Sequence, residues 1–204
     1  MKKVFFTMAA LCMAAGVFAQ TTYGVKVGPD FSLYTSKASG SKETTKMLVG
    51  VAGGVYANVP IAPEFYVQPS LMYEGKGGKR KVGTHVKTRL NYLMLPVDLL
   101  FKPEMPNGSG AWIIGVGPYI GYGISSKSTY SDNGNEISLD PFKEDVFKRF
   151  DAGANVQLGY EMASGFNVGL NAELGLANLL KDAGGDSFRN TSFGVTVGYT
   201  LGKY

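Results

Sequence analysis

Phe193-Gly-Val-Thr-Val-Gly-Tyr-Thr-Leu201 is the stretch from which the rest of the chain is read. Phe193, Val195, Val197, Tyr199 and Leu201 fall on one parity, and Gly194, Thr196, Gly198 and Thr200 on the other. A period of two belongs to an extended strand whose two faces meet different surroundings. The same alternation opens the chain past residue 20. Tyr23, Val25, Val27, Phe31 and Leu33 share one face there, and Gly24, Lys26, Gly28, Asp30 and Ser32 share the other.

Six further runs lie between these two, over 47–59, 65–74, 89–102, 112–125, 147–161 and 166–176. Each is about ten residues or longer, whereas a strand of a soluble protein usually has about five or six. A tilted strand needs roughly 9–11 residues to cross a bilayer. The connections alternate as well, long at 35–46, 75–88, 126–146 and 177–191 and short at 60–64, 103–111 and 162–165. Bacterial outer-membrane barrels have an even number of strands, long outer loops and short periplasmic turns. The pattern therefore predicts an all-β, eight-stranded antiparallel up-and-down transmembrane β-barrel in the outer membrane, with both termini periplasmic. A soluble barrel of lipocalin type would turn the same apolar parity inward around a ligand. The polar parity, however, is rich in glycine and poor in the Lys and Glu that solvate an exterior.

Aromatic residues sit at the ends of the runs. Tyr23, Phe65, Phe101, Trp112, Tyr160, Phe166 and Tyr199 fall at the expected periplasmic interface, and Phe31, Tyr73, Tyr122, Phe150 and Phe193 at the outer one. Amphipathic rings favour that depth.

Composition agrees. Glycine contributes 28 of 204 residues, about twice the usual share, but no G-X-Y period or proline excess accompanies it and hydrophobic residues make up 45%, so collagen and disorder are excluded. Lys2 and Lys3, an apolar stretch from Val4 to Val17, and Val17-Phe18-Ala19 predict a signal peptide over 1–19 and a barrel domain over 20–204. Cys12, the single cysteine, lies inside that signal, and bulky Leu11 before it argues against a lipid anchor there. The predicted mature chain has no disulfide and no thiolate metal site. Without Lys2 and Lys3, 18 basic residues face 16 acidic ones, a balance that leaves no nucleic-acid footprint.

The residues resemble the PorT-like family of small outer-membrane β-barrel proteins. The likeness is carried by Tyr23-Gly-Val-Lys-Val-Gly28, Tyr66-Val-Gln-Pro-Ser-Leu-Met-Tyr73, Asn91-Tyr-Leu-Met-Leu-Pro-Val97, Gly117-Pro-Tyr-Ile-Gly-Tyr122, Phe150-Asp-Ala-Gly153 with Gly159-Tyr-Glu161, Gly175-Leu-Ala-Asn178 and Val197-Gly-Tyr-Thr-Leu201. It implies an outer-membrane barrel inserted by the barrel-assembly machinery, and an accessory role in protein secretion among its possible activities. Leu201 stands where the family usually ends on an aromatic, which makes Tyr204 the candidate terminal aromatic.

The polar parity gives an interior charge network of Lys26, Asp30, Glu74, Asp98, Arg149, Asp151 and Glu173, with Asn155 and Gln157 among them and Lys102 and Glu161 at the periplasmic rim. Eight strands leave an interior just wide enough for side chains to fill, so Lys26 and Arg149 are expected to pair with the carboxylates. A narrow channel or a conduit for hydrophobic compounds is the alternative. Inward glycines at Gly50, Gly54, Gly115, Gly117, Gly121, Gly123, Gly194, Gly198 and Gly202 either make room for Tyr56, Tyr66, Tyr92 and Tyr119 or leave a cavity.

The second long connection is basic, with Lys76, Lys79, Arg80, Lys81, His85, Lys87 and Arg89, and is expected at the level of lipopolysaccharide phosphates. A solvated loop that also enforces orientation is the readier reading. The third carries Asp132, Glu136, Asp140, Glu144 and Asp145 without the spacing of a calcium loop, and attraction to the basic loop explains it as simply. His85 is the one histidine and no spacing gives it a catalytic partner, so no enzyme, cofactor or metal is expected. The reading is a monomeric structural or surface-interaction barrel whose partners are outer-membrane lipid and lipopolysaccharide.

Overall fold

A computed structural model describes residues 20–38, 41–82, 84–132, 135–144, 146–181, 184 and 186–202. The predicted signal peptide with Cys12, the side chains of Lys81, His85 and Asp132, and residues Asp145 and Tyr204 lie outside that description. The alternating runs form strands β1 (Thr22–Ala38), β3 (Lys46–Ala62), β4 (Phe65–Val82), β5 (Thr84–Phe101), β6 (Gly110–Asp132), β8 (Phe150–Met162), β9 (Phe166–Gly175) and β10 (Ser187–Leu201). Each pairs antiparallel with the next, and β10 returns to β1 in register from Tyr23↔Leu201 to Lys37↔Ser187, closing a ring of eight. Two short strands lie off the ring: β2 (Ser41–Thr44) folds back on β1, and β7 (Asn135–Leu139) on β6.

The ring is apolar outside and polar inside. Val25, Val27, Val51, Val55, Leu95, Leu99, Val116, Leu158, Leu170 and Val195 are all exposed on the outer wall, while Ser32, Asp98, Asp151 and Asn58 are buried within. A lipocalin-type barrel would show the reverse, and that alternative is set aside.

The register also draws the two aromatic belts. At the short-turn end Phe65 opposes Phe101 with ring centroids 5.0 Å apart, Trp112 opposes Tyr160 at 5.4 Å, and Tyr199 opposes Phe166. At the other end Phe31 opposes Phe193 and Tyr122 opposes Phe150. Trp112 and Tyr122 stand ten positions apart on β6. That is about 33 Å of strand, or about 25 Å of height at a tilt of roughly 40°, the depth of the apolar band of such barrels.

Several strands outrun the sequence expectation. β4 and β5 stay paired to Val82↔Thr84, so the stretch predicted as a loop over 75–88 is a hairpin standing beyond the belt. A ladder needs only backbone pairing, and once both faces are wet the apolar alternation that marks a spanning strand disappears. One bulge also shifts the phase. Asn91 pairs with Ser125 but Tyr92 with Gly123, leaving Ile124 extra on β6 and turning Ser126 and Ser128 inward after Gly121 and Gly123.

The closing seam depends on Gly28, where an added Cβ would lie 1.8 Å from the carbonyl oxygen of Val195. Gly28→Ala is expected to lose most of the folded, fast-migrating band of unboiled samples on a detergent gel. Gly53→Ala, whose nearest neighbour is the Val27 side chain at 3.4 Å, is expected to keep it.

Candidate functional site

Three layers fill the barrel. At the short-turn end Lys102 Nζ donates to both carboxylate oxygens of Glu161 at 3.0 Å, and Thr200 Oγ1 donates to Glu161 Oε2 at 2.7 Å. Tyr56 OH lies 2.8 Å from Thr200 Oγ1 and accepts from Asn167 Nδ2 at 3.0 Å. Lys102 also sits over the ring of Tyr66 at 5.3 Å. Lys102 and Glu161 thus form a buried ion pair at the short-turn end of the lumen.

Above them, Asn155 Nδ2 donates to both oxygens of Asp98 and Gln157 Nε2 donates to Asp98 Oδ2 and to Gln68 Oε1, which continues through Gln68 Nε2 to Asn58 Oδ1. Lys26 is buried over the ring of Tyr56 at 5.8 Å, within the fields of Asp98, Glu74 and Glu173. A cavity lined in part by Lys26, Tyr56, Gln68 and Gln157 offers about 20 Å³, roughly the space of one water.

The central cation is one the sequence reading puts elsewhere. Lys76, predicted in the basic loop, is fully buried and ion-paired to Glu173 at 2.5 Å and Glu74 at 3.1 Å, with the ring of Tyr119 4.9 Å away. The glycines around it hide the strand, but β4 continues and Lys76 holds the inward phase of Met72 and Glu74. Ser192 Oγ donates to Glu173 Oε2 at 3.2 Å, and Asn190 Nδ2 to Asp151 Oδ2 at 3.4 Å. Asp30 and Asp151 are buried beside this group.

Arg149, predicted as the partner of the interior carboxylates, is not among them. It precedes β8 at the long-loop end, where its Nη1 donates to the Gly123 carbonyl at 3.1 Å and its guanidinium stacks over Phe142 at 5.1 Å. Lys26 and Lys76 therefore face Asp30, Glu74, Asp98, Asp151 and Glu173.

The third layer is apolar. Tyr34, Leu90, Tyr92 and Met94 from the strands meet Phe142 and Leu179 from the long loops, with Phe147 and Phe188 packed against them. Phe188 lies 4.6 Å from Tyr34 and 4.8 Å from Phe147, and Phe142 meets Tyr92 edge-on at 6.0 Å. Some inward glycines make room for side chains, Gly123 for Phe142 and Gly121 for Met94, as do Gly24 for Tyr56 and Gly153 for Tyr119, whereas Gly50, Gly54 and Gly117 abut the backbone of the neighbouring strand and Gly202, past β10, has nothing within 4 Å.

The loops are pinned to hold this cap. The Phe142 amide donates to Ser126 Oγ at 2.9 Å and to Asp140 Oδ1 at 3.2 Å, and Ser126 Oγ itself donates to Asp140. Asn178 Oδ1 accepts from the amides of Leu180 and Phe188, and the Lys148 amide donates to the Leu179 carbonyl at 2.7 Å. The Ser126 hydrogen bond, with help from the backbone amides, holds the Asp140 carboxyl below its ordinary value of 3.8. A depressed pKa stabilises where the carboxylate is ionised, so the Asp140 anchor is complete above about pH 4 and is lost as pH falls through its lower folded value. The protection factor of the Phe142 amide, its exchange rate relative to the unprotected rate at the same pH, is expected to fall on that acid limb, and Asp140→Asn to remove the pH dependence of that protection.

The remaining basic positions stay on the long-loop hairpins. Lys79, Arg80 and Lys87 line one cleft with Lys46 and Glu136, while Arg89 is exposed opposite Lys127. Lys46 carries no signal in its own stretch, since it joins the lysines only through strand pairing. Among the described residues, no group of three or more His, Cys, Asp or Glu is arranged to hold a metal ion.

A polar, ion-paired lumen inside an apolar, aromatic-belted wall is the geometry of an outer-membrane barrel, and the family model for the outer membrane protein beta-barrel domain matches residues 18–181. The chain belongs to that family. Among solved structures this outer membrane beta-barrel domain is similar to Ail, the attachment invasion locus protein of Yersinia pestis, solved in complex with the heparin analogue sucrose octasulfate. Identity is 15% over 89% of this chain and 99% of that one, with a TM-score of 0.45. It is also similar to the outer membrane protein OprG from Pseudomonas aeruginosa, with 12% identity over 88% and 95% of the two chains and a TM-score of 0.46. A search of the curated proteins gives no match.

Proposed function

We propose that this outer-membrane barrel is a non-enzymatic, monomeric surface protein. It is closed to ion flow, and its long-loop end faces outward to engage lipopolysaccharide and other surface partners. The observation that carries the reading is the apolar cap of Phe142, Leu179, Phe147 and Phe188 seated on the Lys76 ion network. A conduit needs a continuous void, and here ion pairs, amide chains and aromatic rings occupy the lumen in turn. Function then falls to the hairpins beyond the belt, where specificity resides on a rigid scaffold. Within the family the quoted motifs favour the PorT-like barrels, delivered by the barrel-assembly machinery. The secretion role implied by that likeness is a separate reading, and a deletion strain that secretes normally would remove it.

The chain past Cys12 has no cysteine, so one introduced thiol reports one place. Lys143→Cys on the long-loop side is expected to react with a membrane-impermeant maleimide on intact cells. Ala163→Cys, in the turn between β8 and β9, should react only after the outer membrane is permeabilised. The reverse pattern would overturn the orientation.

A further inference from the structure

Lys46 pairs with Lys79, and Lys79 with Lys87, in direct cross-strand register over β3, β4 and β5, with Thr129 opposite Lys87 on β6. Directly opposed residues share a face, and like charges placed so repel one another. The chain supplies carboxylates to other cations: Arg80 pairs with Glu43, Lys76 with Glu74 and Glu173, and Lys102 with Glu161. None of the three row lysines forms an ion pair with a described residue.

Two clefts, of about 470 and 440 Å³, meet at Lys46, Lys79 and Arg80. Each is of the size that takes a small ligand. Three neighbouring strands put the outer ammonium groups roughly 10 Å apart, which suits two phosphoryl groups, each bridging an adjacent pair. Lys79 stands six positions past Tyr73 of the belt. That is about 20 Å of strand and about 15 Å of height, above the acyl chains and level with headgroup sugars.

Resting on the outward-facing reading above, we propose that the Lys46, Lys79 and Lys87 row binds the phosphorylated saccharide headgroup of lipopolysaccharide. Glu136 lines the first cleft without pairing with a row lysine and Glu43 of the second is taken by Arg80, so the phosphoryl oxygens supply the ion-pair partners that the row lacks among the described residues. Charge-assisted contacts of this kind make the binding salt-dependent.

The test is calorimetric titration of the refolded full barrel in detergent with three probes: purified lipopolysaccharide, the same material after enzymatic dephosphorylation, and inorganic phosphate. Wild type is expected to bind the phosphorylated form with an affinity that falls as salt rises, and the dephosphorylated form at least tenfold more weakly. Lys46→Gln/Lys79→Gln/Lys87→Gln is expected to lose at least tenfold. Lys143→Gln/Lys148→Gln, which removes charge on the other side of the mouth, should stay within twofold. The triple variant without ligand should also unfold at a higher denaturant midpoint, because the repulsion is gone. Lys79→Gln alone, the middle of the row, is expected to lose at least threefold and covers a triple variant that fails to insert. An unchanged affinity in both row variants, or an equal loss in the control pair, overturns the site. Inorganic phosphate binding as tightly as lipopolysaccharide would make free phosphate the ligand instead. The titration does not depend on orientation, so failure of the surface labelling with intact binding would move the site to the periplasmic side, whereas intact labelling without binding would remove the site alone.

Discussion

Replacing Lys76 by Met is expected to cost the barrel about 3–5 kcal/mol, the usual penalty for removing one member of a buried ion pair. Lys76 is fully buried, and its ammonium is held by Glu74 and Glu173 with Tyr119 over it. Without it Lys26 is left to balance Asp30, Glu74, Asp98, Asp151 and Glu173 in a lumen that water barely enters. Urea unfolding from lipid vesicles measures the loss, and Trp112, the single tryptophan, reports it from the outer wall. Lys76→Met/Glu173→Gln is expected to regain part of the stability, because a neutral amide replaces one stranded charge. Lys143→Met, whose partner Asp140 is 3.8 Å away at an exposed site, should stay within about 1 kcal/mol of wild type. If Lys76→Met matched that control, the ion network would not be what holds the lumen.

Phe142→Ala carries the second large effect. Phe142 is a buried ring reached from a loop, set against Tyr92, Arg149 and Gly123. A buried Phe→Ala change costs about 3–5 kcal/mol, and here the cost falls on the cap rather than on the ring of strands. Protease cleavage within 140–148 is therefore expected to speed up about a hundredfold or more, since each 1.4 kcal/mol is a factor of ten when opening precedes cleavage. The folded band on a detergent gel should survive. Loss of that band together with rapid cleavage throughout would mean that the cap and the barrel are one cooperative unit.

These two residues also mark the limit of what the sequence discloses. Strand alternation is legible because one face meets lipid and the other the lumen, so Phe193 to Leu201, the belts and the inward Asp98, Asp151 and Glu173 can be read from parity alone. Lys76 escapes because Gly75, Gly77 and Gly78 erase the apolar parity while the backbone ladder runs on. Phe142 and Leu179 escape because single apolar residues in polar loops carry no period, and their burial is decided by Ser126, Asp140 and Asn178 holding the loops down. The inward turn of Ser126 itself follows from a one-residue bulge at Ile124, which no spacing rule locates. Arg149 looks inward by parity counted along β8, and its carbonyl still accepts from the Gly123 amide at 2.6 Å, but at the long-loop end its guanidinium meets the Phe142 ring of the cap instead of the carboxylates deeper in the lumen. The lysine row is a tertiary fact too, since Lys46 meets Lys79 only through strand pairing.

A lumen closed by its own side chains is what the proposed function requires. Single-channel recording of the refolded barrel in a planar bilayer tests it most directly, with insertion established independently by the heat-dependent gel shift. The expected result is electrical silence from well-inserted protein. Steady ion-passing steps from the wild-type chain would contradict a closed lumen and would assign this barrel to transport.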